Sequence, residues 1–262
     1  MNRYGNVSAV AGSMLNFIEL SKISYPGRGI IVGTSQCGKF AIQVYWIMGR
    51  SDNSRNRIFQ VEGSRRVFTE PADASKVKDA SLIIYNAMDS YAGNFVVSNG
   101  DQTNTAISAF AMAAGITLRE ALRDRTFEPD RPNFTPRITG LCVPSTDGMC
   151  FTQLSIIRKS ELAGDDNCER ACFDYVGIRP GYGFSVSTYE GDGDPLPAFN
   201  SGPYPLPLVG GMEDIAETYW SILNKDNRVS LAVKFITIES RDSVVVLRNR
   251  YSKVQPAPII LA

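Results

Sequence analysis

The sequence contains no histidine, and this absence narrows the chemistry that the chain can perform. Histidine is the commonest general acid or base near neutral pH and the commonest transition-metal ligand. Its absence excludes a Ser-His-Asp or a Cys-His mechanism. Any catalysis must therefore use Tyr, Glu, Asp, Lys, Arg, Cys, Ser or backbone groups.

The sequence also lacks a charge excess, since 27 Lys and Arg balance 27 Asp and Glu. Nucleic-acid binders usually carry a basic excess, so we predict no nucleic-acid partner, although a local basic site for a small anion stays open. There is no apolar run of 18 residues, and Glu19 interrupts the N-terminal apolar segment. Neither a membrane span nor a signal peptide is therefore predicted.

Cysteines are few, and their pattern is sparse. The chain has five cysteines, an odd number, and they are not densely spaced. This pattern is typical of a reduced, cytoplasmic protein. Cys168 and Cys172 form one close pair, but a zinc site would lack a second pair and any histidine. The sequence therefore predicts no metal site.

The apolar pattern is dominated by strands. Paired apolar segments at 29–48 and 81–100 indicate β-hairpins, whereas Thr117 with Glu120 forms a capping box that begins a helix. Residues 1–13 show no clear pattern. Hairpins outnumber strand–helix–strand units, which favours antiparallel sheets with helices on their outer faces. The predicted helices are 103–115, 117–125 and 212–224, and the predicted irregular connections are 161–170 and 191–211.

The segment Gly33–Lys39 matches the start of a phosphate-binding P-loop. That motif next requires Ser or Thr to bind Mg²⁺ and then a helix whose N-terminus faces the phosphate. This chain has Phe40 instead, followed by β-branched and aromatic residues. We therefore interpret the segment as a hairpin turn.

Three arginines, Arg50, Arg55 and Arg57, lie within eight residues of one predicted loop. Their guanidiniums repel one another unless an anion lies among them, and arginine binds phosphate in a bidentate manner. A solvated surface loop, partly neutralised by Asp52, fits the composition equally well.

Three further polar segments could contribute to a site. Tyr85 ends an apolar strand and could donate to an oxyanion, although an ordinary strand tyrosine is the commoner case. Residues 98–103 join a strand to a helix, where polar side chains meet a ligand or simply cap the helix. The proline-rich loop 128–137 presents Glu128, which could be a general base or only a surface charge.

These polar segments occur in an order that resembles the archaeal-type IMP cyclohydrolase family. The resemblance is good over about residues 25–145 and looser beyond. Each motif alone is weak, but four in order with similar spacing are fairly specific. The motifs are GRSDNSRNR (49–57), IIYNAM (83–88), VVSNGDQTNT (96–105) and EPDRPNFTPRI (128–138).

The resemblance implies an α+β fold, a four-layer αββα sandwich of two stacked antiparallel sheets, similar to N-terminal-nucleophile hydrolases. The chain begins Met1-Asn2-Arg3 and so lacks the nucleophile that gives those hydrolases their name. We expect one domain over 1–262. Residues 192–262 exceed the compact archaeal enzymes, and a lid, an oligomer contact and an added activity are the alternatives for them.

The activity implied by the resemblance is closure of 5-formamidoimidazole-4-carboxamide ribotide to IMP with loss of water, the last step of purine synthesis. It requires a purine ribonucleotide substrate, no cofactor and no ATP. The alternatives are a formyltransferase acting on the preceding aminoimidazole carboxamide ribotide, and a non-catalytic purine-nucleotide-binding module. A cytoplasmic protein is expected, and the sequence leaves a homo-oligomer open.

The resemblance and the chemistry together assign the site residues. The expected catalytic residues are Tyr85, which donates to the formyl oxygen, Glu128, the acid/base, and Arg50, which polarises the carboxamide or binds phosphate. The expected substrate-binding residues are Arg28, Arg55, Asn86, Asn99, Asp101, Thr103 and Arg137.

Overall fold

The computed structural model describes residues 9–77, 83–162, 164 and 167–253. The helices are α1 (Ala9–Lys22), α2 (Asp52–Arg55), α3 (Gln102–Met112), α4 (Leu118–Ala121) and α5 (Met212–Ile222), with a 3-10 turn at Ala74–Lys76. The strands are β1 (Gly29–Thr34), β2 (Phe40–Met48), β3 (Ile58–Glu62), β4 (Arg66–Glu70), β5 (Asn86–Tyr91), β6 (Asn94–Ser98), β7 (Arg137–Pro144), β8 (Cys150–Lys159), β9 (Cys168–Val176), β10 (Tyr182–Ser187), β11 (Tyr204–Pro207), β12 (Arg228–Thr237) and β13 (Ser243–Asn249).

The strands form two antiparallel sheets that stack face to face. The first sheet has six strands in the order β11-β10-β1-β2-β12-β13, and the second has seven in the order β3-β4-β5-β6-β7-β8-β9. One apolar core lies between the sheets, and two others pack α1 and α5 on the first sheet and α3 and α4 on the second. The predicted four-layer αββα sandwich is therefore confirmed.

Strand β1 shows why the central strands are apolar throughout. Ile30 and Val32 point into the core between the sheets, whereas Ile31 points to the helices on the outer face. Side chains alternate along a strand, so a strand covered on both faces must be apolar at every position. This arrangement explains the continuous run GIIVG.

The hairpin interpretation of Gly33–Lys39 is confirmed. Strands β1 and β2 pair antiparallel with Gly33 opposite Ile42, and the Ser35 amide donates to the Phe40 carbonyl at 2.9 Å. Gly38 has φ +75°, a conformation that favours glycine in this turn. No helix follows the turn, so the segment cannot hold a phosphate in the P-loop manner.

Several elements differ from the prediction. Helix α1 begins at Ala9, within a segment that shows no clear sequence pattern; residues 1–8 lie outside the described part. Strand β9 begins inside the connection predicted at 161–170, and β11 lies inside the loop predicted at 191–211. Both strands are at sheet edges, where polar residues and prolines are tolerated and the apolar pattern is weak.

The C-terminal third is an integral part of the sandwich. From residue 192 onward it supplies β11, α5, β12 and β13, and β12 lies between β2 and β13 in the first sheet. A lid or oligomer role for 192–262 stays a prediction, and residues 254–262 lie outside the described range. Among the residues that the structure describes, no helix is long and apolar enough to cross a membrane.

Candidate active site

The functional candidates gather at one end of the sandwich, which we call the site end. The antiparallel order brings the starts of β1, β3, β5 and β7 and the end of β10 to this end. The opposite end carries the 35–39 turn and the β3–β4 turn. The P-loop-like turn is therefore remote from the site.

Arg28 lies immediately before β1 and is 9% exposed. Its backbone is fixed by Thr188, whose amide donates to the Arg28 carbonyl at 2.8 Å and whose Oγ1 accepts from the Arg28 amide at 3.0 Å. Gly27 has φ +72°, and a Cβ there would lie 2.1 Å from Thr188 Oγ1. Glycine at 27 therefore permits the turn that directs Arg28 inward.

Arg57 lies immediately before β3 and is 2% exposed. The following residues, Ile58 and Phe59, are buried, so the chain is already inside the protein at this point. Among the described residues, Nε and Nη1 of Arg57 and Nε of Arg28 have no hydrogen-bond partner although they are buried. Buried cationic donors without partners are costly, so these atoms favour an anionic or carbonyl oxygen between them.

Glu128 brings a buried carboxyl to the same cluster. Burial raises its pKa above the ordinary value, although Arg28, Arg137 and Arg57 oppose this shift. Its amide donates to the Thr135 carbonyl at 2.9 Å, which holds the loop, while its carboxylate makes no ion pair within the described ranges. A carboxyl with a raised pKa suits proton transfer near neutral pH.

The charge of Glu128 acts in turn on Arg28. Burial alone would lower the pKa of Arg28, but Glu128 and the phenols of Tyr25, Tyr189 and Tyr85 raise it above its ordinary value. Burial and the charge of Arg28 lower the pKa of Arg57. The two arginines are thus close enough to repel each other, which an anionic ligand would relieve.

A pair of phenols completes the cluster. The hydroxyls of Tyr45 and Tyr85 are 2.7 Å apart in the interior, and the Tyr45 ring packs on Phe59 at 5.5 Å between centroids. Burial raises the pKa of Tyr45 well above its ordinary value, so this phenol stays protonated. One hydroxyl can donate to the other, which in turn can donate to a substrate oxygen.

The loop that carries Glu128 is braced by a chain of hydroxyls. Asp130 accepts from the Thr135 amide at 2.7 Å and from Thr135 Oγ1 at 2.5 Å, and Tyr189 Oη lies 2.5 Å from Thr135 Oγ1. Because Thr135 donates its proton to Asp130, Tyr189 donates to Thr135. The Tyr189 ring also stacks on Tyr25, with centroids 6.0 Å apart.

Arg50 and Arg55 of the predicted arginine loop are engaged with protein groups. Arg50 Nη1 lies 2.5 Å from Asp192 Oδ1 and 2.9 Å from the Gly193 carbonyl. Arg55 Nε donates to the Gly49 carbonyl at 2.9 Å. Of the three arginines in this loop, Arg57 is therefore the one that enters the buried cluster.

The strand–helix junction forms a structural network. Asn99 Nδ2 donates to the Pro136 carbonyl at 2.9 Å, and its Oδ1 accepts from the Ile138 amide at 2.8 Å. Thr103 Oγ1 lies 2.5 Å from Ser98 Oγ. The Asn99 contacts join this junction to the start of β7, whereas no side chain caps the start of α3, so the predicted helix cap is wrong.

Arg137 links this network to the cluster. Its Nη1 donates to Gln102 Oε1 at 2.8 Å and lies 3.0 Å from Asp101 Oδ1, and its charge acts on Glu128. Asn86 lies nearby on β5 and donates to Asn104 Oδ1 at 2.7 Å. The structure thus brings together Arg28, Glu128, Tyr85 and Arg137 of the expected residues.

Four residues of the cluster were not among the expected site residues. Arg57 directly precedes the apolar pair Ile58 and Phe59, and this position is a signal that could have separated it from its neighbours. The tyrosines could not be recognised from the sequence, because their relation depends on sheet stacking. The tyrosines are Tyr25, Tyr45 and Tyr189. Within the described ranges, no group of three or more potential metal ligands occurs.

A family model described as IMP cyclohydrolase-like protein matches residues 25–241, which is most of the chain and includes every member of the cluster. No curated protein sequence matches the chain. On the extent of the family match, the chain belongs to the IMP cyclohydrolase-like family.

Proposed function

We propose that this protein closes the ring of 5-formamidoimidazole-4-carboxamide ribotide to form IMP and water. The observation that carries the proposal is the buried cluster of two guanidiniums with unpartnered atoms, a carboxyl with a raised pKa and a pair of phenols. It offers positive charge, a proton acceptor and a proton donor without histidine or a cofactor.

The first step forms a carbon–nitrogen bond. The carboxamide nitrogen attacks the formyl carbon, Glu128 accepts the proton that this nitrogen loses, and the carbonyl electron pair moves to the formyl oxygen. Tyr85 donates a hydrogen bond to the resulting oxyanion, and Tyr45, 2.7 Å away, can donate to Tyr85 in turn. Such preorganised donors stabilise a developing negative charge strongly in a buried site.

The second step expels water. Glu128 returns its proton to the oxyanion, which becomes a hydroxyl. Glu128 then takes the proton of the formamide nitrogen and passes it to this hydroxyl, which leaves as water while the nitrogen lone pair forms the carbon–nitrogen double bond of the ring. Arg28 and Arg57 bind the negatively polarised oxygens of the substrate throughout. Arg50 and Arg55 are weaker candidates for this task because Asp192 and Gly49 already engage them.

The direct test is to incubate the purified protein with the formylated ribotide, without folate, ATP or metal, and to follow the appearance of IMP. We expect wild-type turnover, with kcat lowered about 10²-fold or more in both Tyr85→Phe and Glu128→Gln. Matched controls are Tyr91→Phe and Glu217→Gln, which change exposed residues away from the site and should turn over normally.

The outcomes separate the alternatives. Binding without turnover would support a non-catalytic module, and a requirement for a formyl-folate, or for formate with ATP, would support a formyltransferase. Near-normal turnover in both Tyr85→Phe and Glu128→Gln would contradict the proton-transfer roles of these two residues while leaving the reaction itself in place.

A further inference from the structure

Strand β9 is an open edge of the second sheet. It pairs with β8 on one side and with no other described strand on the other. The other sheet edges are shielded: α1 packs against β11, and Asn249 of β13 hydrogen-bonds to the amide and carbonyl of Phe59 in β3. An exposed edge of nine residues is a template for pairing with another chain.

The register with β8 shows which groups of β9 are free. The hydrogen bonds from Ser160 to the Asn167 carbonyl and from Gly177 to the Cys150 carbonyl direct odd-numbered residues of this segment toward β8. Bonding alternates along an antiparallel strand, so even-numbered residues from Cys168 to Val176 direct their amides and carbonyls outward. In the described part, none of these groups makes a backbone hydrogen bond.

We propose that β9 pairs antiparallel with β9 of a second copy of this chain, about a two-fold axis at Cys172. This register overlaps all nine residues and places outward-directed groups opposite one another, as an antiparallel ladder requires. It also places Arg170 opposite Asp174 of the second copy, and the symmetry creates this pair twice. Opposite charges directly across a ladder stabilise it.

Neighbouring registers lack this match. A two-fold axis at Arg170 would place that arginine opposite itself, and an axis at Asp174 would place two carboxylates together. A two-fold axis at residue 171 or 173 would place Arg170 and Asp174 opposite uncharged residues instead. These uncharged residues are Cys168, Cys172 and Val176. Charged side chains usually protect an open edge from pairing, but here their spacing makes the edge complementary to itself.

The surroundings of β9 fit this occupant. Arg170 and Asp174 are exposed and lie on the outer face of the sheet, and Val176 is 68% exposed. Beside the C-terminal end of β9 an apolar groove of about 370 Å³ adds surface that a second copy would cover. The groove is lined by Val10, Tyr175, Ile178, Phe184 and Pro205.

Sedimentation equilibrium of the full chain across the micromolar range tests the proposal. We expect a reversible dimer of twice 28.7 kDa. Arg170→Glu and Asp174→Lys should each raise the dissociation constant about tenfold or more, because each places like charges together twice. The double variant should restore it to within about threefold, since the pair is re-formed with reversed sign.

The rescue separates the interface from the fold. Arg170 also donates to the Leu122 and Arg125 carbonyls within its own chain, and Asp174 accepts from Gln153, contacts that the double variant does not restore. Urea unfolding of each variant measures that loss independently. The matched control is the reversal of the exposed neighbours Arg123 and Asp124, which should leave dimerisation unchanged.

Three results would overturn the proposal. A wild-type protein that stays monomeric at high micromolar concentration excludes this interface. A dimer whose dissociation constant is unchanged in both single variants uses a different surface. A double variant that dimerises no better than the single variants shows that Arg170 and Asp174 do not face each other across the axis.

Discussion

Buried charges occur at both ends of the sandwich, but they are paired within the protein at one end and incompletely paired at the other. At the end opposite the site, Lys234 on β12 is fully buried and donates to the Arg65 carbonyl. Asp89 pairs there with Arg65 at 3.2 Å and with Arg66 at 3.3 Å. Burial lowers the pKa of Lys234 to about 8, and the charge of Asp89 opposes this shift.

The site end leaves its charges incompletely paired. Arg28 and Arg57 have buried nitrogen atoms without partners, and the Glu128 carboxylate makes no ion pair among the described residues. A buried charge that is paired within the protein has a small effect on the stability of the fold. A buried charge without a partner lowers this stability unless a bound ligand pairs with it. The comparison distinguishes a cluster whose charges are paired within the protein from one whose cations lack such partners.

The largest stability effect is expected at the opposite end. Asp89→Asn should lower the free energy of unfolding by about 3 kcal/mol, because Lys234 and Arg65 lose their buried counter-charge. Turnover of the folded protein should stay within about twofold of wild type, since the change is remote from the site. Urea unfolding and the ring-closure assay measure the two quantities.

Glu62 offers the matched control for this prediction. Its carboxylate pairs with Arg66 at 2.7 Å but is 66% exposed, so Glu62→Gln should change stability by less than about 1 kcal/mol. If Asp89→Asn were as mild as Glu62→Gln, or if it abolished turnover, the assignment of a purely structural role to this cluster would fail.

A smaller effect of opposite sign is expected at the site end. Burial raises the pKa of Glu128 in the folded protein, so its ionisation weakens the fold. Glu128→Gln should therefore raise the free energy of unfolding at neutral pH, while turnover falls. Urea unfolding of the variant and the wild type at several pH values measures this difference.

The pH dependence of stability fixes the sign of this effect. The folded protein holds the Glu128 proton to higher pH than the unfolded chain does, so wild-type stability falls as pH rises above the ordinary carboxyl pKa. The difference between Glu128→Gln and wild type should thus be absent in acid and complete above the raised pKa. A variant that is less stable than wild type at neutral pH would contradict the account.

Apolar hairpins are local signals and predicted antiparallel sheets with helices on their outer faces, whereas the four-layer sandwich was implied by the resemblance. The β1–β2 turn could be assigned from Phe40 and the β-branched and aromatic residues that follow it, and the capping box of Thr117 and Glu120 begins α4 as expected. Helix α4 ends at Ala121, before the predicted end at 125. Edge strand β9 was not recognised, because its fit is set by pairing with β8 rather than by its own apolar pattern.

The site was predicted only in part. Contacts between side chains of the two stacked sheets join residues far apart in the chain, so no local sequence pattern indicates them. Glu128 and Tyr85 were candidates from their own segments, and the resemblance favoured their functional reading, whereas Tyr45 meets Tyr85 only because the sheets stack. Among the three loop arginines, composition cannot show that Arg57 is buried while Arg50 pairs with Asp192 near the surface.

Calorimetric titration with IMP tests the central claim most directly, namely that the unpaired cations at the site end bind the nucleotide. We expect IMP to bind wild type and Asp89→Asn with similar affinity, and Arg57→Met to bind about 10²-fold more weakly, because a charge-assisted contact is lost. Equal affinity in wild type and Arg57→Met, or no binding to wild type, would contradict the account.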